Sequence, residues 1–107
     1  MKKIYLFCSQ GMSTSLLASK MQDVANQHKL PVVVKAFPHG KIEQIAREEH
    51  PDCILLGPQV KYLYNETVTK LEDLNTPIAV ISSEDYGMMN GERVLKYAVM
   101  LIKKNKK

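Results

Sequence analysis

The sequence predicts an open α/β fold: four parallel strands in one sheet, with helices on both faces. Three observations carry that expectation. Four short apolar runs, Ile4–Phe7, Val32–Val34, Cys53–Leu56 and Ile78–Ile81, are continuous rather than alternating. Strands buried on both faces of a parallel sheet read this way. Segments with helical spacing separate the runs, giving the β-α-β-α-β-α-β-α alternation that builds such a sheet. Finally, 107 residues with 45% hydrophobic and 24% charged side chains make one domain, 1–107. A chain of that length buries roughly two-thirds of its unfolded surface and folds without cross-links.

The elements follow in order. After the first run, Leu17, Met21, Val24 and Ala25 form the apolar stripe of a helix opening at Leu16 and Leu17. Pro31 precedes the second strand. Ile42, Ile45 and Ala46 give the next segment, Ile42 to Glu49, one apolar face, and Pro51 stops it. Val60, Tyr64, Val68 and Leu71, with Leu63 and Leu74, mark the third helix, and Pro77 precedes the fourth strand. Val94, Leu95, Ala98, Val99, Leu101 and Ile102 are the stripe of a terminal helix. Gly40, Gly57, Gly87 and Gly91 are expected in loops. No internal repeat or low-complexity linker interrupts the pattern. Right-handed crossovers then bring the loops after each strand to a common edge.

Composition excludes several classes. The net charge of +4 is concentrated at the ends, in Lys2, Lys3, Lys103, Lys104, Lys106 and Lys107. Trp is absent and aromatics are 7%, so no basic stripe interleaved with aromatics offers itself to nucleic acid. No apolar run approaches the about 20 residues of a membrane span. Ile4–Phe7 also falls short of the roughly 7–15 apolar residues of a signal peptide. Cys8 and Cys53 are too few for a disulfide framework. The cytoplasm, where thiols stay reduced, is the expected compartment, and Met1 points to a free-standing chain.

Ligands of such sheets bind at the carboxyl ends of the strands, and the first strand ends at Cys8. Ser9, Gln10, Gly11, Met12, Ser13, Thr14 and Ser15 follow as a loop of small and hydroxyl residues before the helix. The first amides of a helix have no internal partners, and with the helix dipole they favour an anion such as phosphate. Gly11 lets the backbone curl so that amides converge, and the hydroxyls add donors. The same field lowers a thiol pKa, so Cys8 is expected as a reactive thiolate at the centre of an anion cradle. A buried strand-end cysteine followed by a helix cap fits the loop by itself equally well.

Other phosphate sites fail at their motifs. Neither G-x-x-x-x-G-K-[ST] nor G-x-G-x-x-G occurs, and the first strand ends without the acidic residues of a receiver domain. His28, His39 and His50 lack metal-ligand spacing and read as surface or loop residues; no metal and no cofactor is expected. Cys53 starts the third strand, at the edge away from Cys8. At about 3.3 Å per residue the two lie too far apart to bridge, and Cys53 reads as a core cysteine.

The stretch Ile4-Tyr5-Leu6-Phe7-Cys8-Ser9-Gln10-Gly11-Met12-Ser13-Thr14-Ser15 resembles the enzyme IIB component of bacterial phosphoenolpyruvate-dependent sugar phosphotransferase systems, lactose/cellobiose/chitobiose class. Pro31-Val32-Val33-Val34-Lys35-Ala36-Phe37-Pro38 and Leu55-Leu56-Gly57-Pro58-Gln59-Val60 agree with it, as does Tyr86-Gly87 before a Val-Leu helix. The resemblance covers nearly the whole chain and implies a phosphotransferase component. A phosphohistidine of a IIA partner would give its phosphoryl group to Cys8. The S-phosphocysteine would pass it to a cellobiose-, chitobiose- or lactose-like sugar held by the membrane IIC permease, which mainly chooses that sugar. Amides of residues 9–15 would take up charge on the equatorial oxygens. Pro58, Gln59 and Tyr86 would form the rim, and Met12 the apolar anchor for IIA. The protein would be cytoplasmic and meet the membrane through the permease.

The implied fold is similar to that of low-molecular-weight tyrosine phosphatases, which makes a cysteine phosphatase the alternative. Those enzymes use Cys-x5-Arg, the Arg forking onto phosphate. Here Thr14 takes that place, and no Arg or Lys lies between Cys8 and Lys20. Asp85, in the loop after the fourth strand, either stands where a phosphatase acid would or is an exposed carboxylate beside Glu84. A redox enzyme of arsenate-reductase type would need a resolving cysteine near Cys8, and Cys53 is misplaced for it.

Overall fold

Four strands, β1 (Lys2–Cys8), β2 (Val32–Pro38), β3 (Cys53–Leu56) and β4 (Ile78–Val80), pair in parallel in the order β2-β1-β3-β4. The structure is a computed structural model describing residues 1–9 and 11–105, with backbone alone for residues 11–13. The helices are α1 (Gly11–Gln27), α2 (Ile42–Glu49), α3 (Tyr64–Lys70), α4 (Ser83–Gly87) and α5 (Gly91–Asn105).

The two central strands explain why their runs do not alternate. Ile4 to Cys8 and Cys53 to Leu56 are all buried, because successive side chains enter two different cores. Ile4, Leu6, Cys53 and Leu55 pack with Leu17 and Met21 of α1 and with Val94, Leu95 and Ala98 of α5. Tyr5, Phe7, Ile54 and Leu56 face the other way, onto Ile42, Ile45 and Ala46 of α2 and onto Val60 and Leu71. Each such side chain contributes about 1.5–3 kcal/mol on burial, so both faces are needed to hold the sheet. Edge strand β2 buries only Val32 and Val34.

The register fixes the site. Ile4 pairs with Cys53 and Phe7 with Leu56, so Cys8 extends one residue past the end of β3. The chain leaves β1 for β2 on one side and returns as β3 on the other. Cys8 therefore lies at the carboxyl end of the switch in strand order, where such sheets bind ligands. Cys53, opposite Ile4, is four residues back along the sheet, roughly 13 Å at strand rise.

Several local expectations are corrected. Helix α1 opens at Gly11, not at Leu16, so Gly11 to Ser15 form its opening turns. Hydroxyl residues suit a helix start, but an apolar stripe cannot reveal them. The third connection is not one helix: a 3-10 helix (Pro58–Leu63) kinks at Val60, α3 follows, and another 3-10 turn (Glu72–Leu74) ends it. Tyr64 and Val68 are exposed, while Val60, Thr67 and Leu71 are buried. Gly40 lies in a 3-10 turn, Gly87 ends α4 and Gly91 opens α5, none of them in a loop. At Gly91 a Cβ would stand 2.9 Å from the Lys20 carbonyl carbon and 3.0 Å from the Met21 nitrogen. Contact between α1 and α5 thus requires glycine there. His39 is half-buried in a 3-10 turn, whereas His28 and His50 are exposed.

Candidate functional site

Cys8 ends β1 and is only 2% exposed. Immediately after β3, Gly57 turns across the strand end, its N–H donating to the Phe7 carbonyl at 2.8 Å. A Cβ on Gly57 would be 3.1 Å from Cys8 Sγ and 3.0 Å from Gln59 Oε1. Pro58, with its fixed φ, starts the 3-10 helix. That turn carries Gln59 back over the strand end, where the Cys8 thiol donates to Gln59 Oε1 at 3.3 Å.

The opposite wall comes from the segment after β4. Ser82 caps α4, its Oγ accepting from the Asp85 N–H at 3.0 Å. The single turn that follows directs Tyr86 inward. Its hydroxyl lies 3.9 Å from Cys8 Sγ and 3.2 Å from Thr14 Oγ1. Thr14, in the opening turns of α1, is fully buried, so two buried hydroxyls satisfy one another beside the thiol.

The start of α1 closes the third side. It begins three residues after Cys8 and carries no acidic residue in its first turn. The first-turn amides have no intrahelical acceptors, and the positive end of the dipole falls at the same strand end. A thiol, an amide side chain, paired hydroxyls and a helix N-terminus can receive an anionic group on sulfur. Cys53 differs: it is fully buried, and burial, then the Asp52 carboxylate, pushes its thiol up to about 12. It remains a core thiol, unbridged to Cys8.

The structure places the sequence-derived candidates unevenly. Thr14, Gln59 and Tyr86 meet at Cys8, with half-buried Pro58 beside them. Tyr86 is a buried wall rather than a rim residue, and Thr14 is bonded to it rather than standing in an open loop. Ser9 is exposed. Ser15 is also exposed and lines a cavity of about 430 Å³ with Ala18, Ser19 and Gln22 against β2. Gln10, and the side chains of Met12 and Ser13, lie outside the described residues, and Gly11 is described only as the first residue of α1. Asp85 is not a loop carboxylate: it sits in the first turn of α4, 20% exposed, 3.2 Å from Arg93 Nε.

Sequence reasoning missed two features. Gly57 approaches the thiol, and a glycine immediately after a central strand on the ligand edge was the available signal. Ser82-x-x-Asp85 is a capping pattern that announces α4 and hence the inward Tyr86.

Three comparisons bear on this arrangement. Residues 3–97 match the family described as PTS system, Lactose/Cellobiose specific IIB subunit. The galactose-specific EIIB component of Lactococcus lactis subsp. cremoris is 40% identical over 104 residues, covering 94% of this chain and 96% of that one. The oligo-beta-mannoside-specific EIIB component of Bacillus subtilis is 35% identical over 102 residues, covering 95% and 97%. Among solved structures, the lactose-specific IIB component domain from Streptococcus pneumoniae superposes with a TM-score of 0.83 at 22% identity, covering 92% and 95%. The cellobiose-specific IIB component from Borrelia burgdorferi gives a TM-score of 0.80 at 27% identity, covering 99% and 95%.

Proposed function

The chain belongs to the lactose/cellobiose-specific IIB subunits of the sugar phosphotransferase system, and on that premise we propose that Cys8 carries the phosphoryl group. A IIA phosphohistidine donates it: the P–N bond breaks, an S–P bond forms at Cys8, and the thiol proton passes to the departing imidazole. In the second step the S–P bond breaks, a sugar hydroxyl oxygen takes the phosphorus, and its proton returns to sulfur. The sugar is held by a IIC permease. Relatives named for galactose, cellobiose and oligo-beta-mannoside support a β-linked or galactose-type sugar chosen on the permease side. The chain works at the cytoplasmic side of that permease; no helix of the described residues is long and apolar enough to cross a membrane.

The observation that carries this reading is the convergence on Cys8 Sγ of Gln59, the Thr14–Tyr86 hydroxyl pair and the opening of α1. First-turn amides stabilise charge on the transferring oxygens without a cation. A hydrolase would need an activated water and, in the phosphatase pattern, an arginine fork. Here Thr14 occupies the arginine's place and Asp85 is tied to Arg93, so nothing favours the phosphatase alternative. Incubation with phosphorylated IIA should add one phosphoryl group, on Cys8. Cys8→Ser should abolish sugar phosphorylation; label persisting on another residue in that variant would overturn the assignment.

A further inference from the structure

We propose that the Gln59 side-chain amide is a two-state contact for the carried group. Its Oε1 accepts the thiol hydrogen of empty Cys8, and its Nε2 donates to the phosphoryl oxygens of the loaded one. The inference deepens the carrier reading and rests on it.

The empty state is the one described. Cys8 Sγ lies 3.3 Å from Gln59 Oε1, with the thiol as donor, a contact that the thiolate expected from the sequence could not make. Loading removes that donor, because the sulfur is then bonded to carbon and phosphorus and the group presents only anionic oxygens. A carbonyl oxygen left in place would face like charge. Gln is the side chain that can answer this without backbone movement. Its amide carries an acceptor and a two-hydrogen donor at equal reach, and its last torsion is broad and roughly two-fold. A half-turn exchanges the two.

Surroundings permit the exchange in both directions. Gly57 leaves the necessary space, since a Cβ there would be 3.0 Å from Oε1 and 3.1 Å from the sulfur. Gln59 is exposed, so whichever end of the amide faces away from Cys8 is met by water. Tyr86 and Thr14 need no such reversal, because a hydroxyl both donates and accepts. Among the described contacts of Cys8, the one to Gln59 is thus a contact whose sense must change between the empty and loaded carrier. A donor to a charged oxygen is also stronger than the thiol bond it replaces. The amide therefore favours the loaded state and does not merely tolerate it.

The test loads ¹⁵N-labelled protein from phosphorylated IIA and follows the Gln59 side-chain NH₂ signals. Loaded fractions at equilibrium with the same donor are compared among wild type, Gln59→Met and Gln59→Glu. The amide signals should shift on loading. Gln59→Met should lower the Cys8-loading equilibrium constant about tenfold, the charge-assisted hydrogen bond lost from the loaded state less the weaker thiol bond lost from the empty one. Gln59→Glu, ionised and acceptor-only, should lower it further. A space-filling Gln59 would leave the signals unmoved and Gln59→Met loading like wild type; that result overturns the proposal and leaves the carrier reading standing. Wild-type protein that gains no phosphoryl group on Cys8 overturns both. Because the wild-type spectrum is read independently, a variant that fails to fold does not remove the test.

Discussion

Replacing Gly57 by Ala separates the space around the thiol from the stability of the fold. Gly57 has φ −63° and ψ 154°, extended backbone that alanine adopts without strain. The added methyl carbon would stand 3.0 Å from Gln59 Oε1 and 3.1 Å from Cys8 Sγ, so both must give by a few tenths of an ångström. The amide is the end of a flexible, exposed side chain and moves cheaply, but its 3.3 Å bond to the thiol is then lost. That loss costs about 0.5–1.5 kcal/mol. Reduced freedom of the unfolded chain returns about 0.4–1 kcal/mol, leaving stability within about 1 kcal/mol of wild type. Function is less forgiving, because the methyl stands against the atom that must receive phosphorus; where a 1 Å misplacement costs about 100-fold, a few tenths cost roughly 3–10-fold. Intact-mass measurement of Cys8 loading from phosphorylated IIA should show an initial rate lowered roughly 3–10-fold. The melting temperature should stay within about 8 °C of wild type. Wild-type loading would refute the reasoning about space. A much larger fall in melting temperature would refute the claim that the flexible amide yields.

Three further outcomes follow from the geometry. Gly91→Ala places its Cβ against the backbone of Lys20 and Met21, which cannot yield as a side chain can. It should cost about 1–3 kcal/mol and lower the melting temperature while folded protein still loads; an unchanged melt would contradict the close α1–α5 contact. Cys53 stays protonated in the fold up to about 12 against an ordinary 9.0, so its stabilising effect is complete below pH 9 and is lost as pH rises towards 12. Denaturant melts across that window should show a shallower alkaline decline in Cys53→Ala than in wild type; Tyr5, also pushed to about 12 by burial and by Glu49, accounts for part of the remaining slope. Identical slopes would refute the Cys53 contribution. Asp85→Asn removes a carboxylate engaged with exposed Arg93 and should leave phosphate release from the loaded protein slow, with stability changed by at most about 1 kcal/mol. Fast release in wild type that collapses in the variant would make Asp85 a catalytic group and restore the hydrolase alternative.

By itself the sequence determined the four strands of the sheet, though not their order. Ile4–Phe7 and Cys53–Leu56 are legible as strands because burial on two faces leaves no polar alternation, a property of a few consecutive residues; the same reading of Val32–Val34 and Ile78–Ile81 fails in part, because these are edge strands and only partly buried. Cys8 before a glycine- and hydroxyl-rich stretch is legible for the same reason, since nucleophile and helix start are neighbours in the chain. The start of α1 was not legible from spacing, because a helix's first turn satisfies polar groups and needs no apolar stripe. The broken third connection escaped too: Tyr64 and Val68 continue a helical period but face solvent, and only the packing of Val60, Thr67 and Leu71 decides which turns are kept. The walls of the site belong to the tertiary structure. Gln59 is 51 positions from Cys8, and Tyr86 is 72 from Thr14. They meet because β1 and β3 are adjacent and in register and β4 follows β3, a juxtaposition set by how two cores close over the sheet and not by any local run of residues.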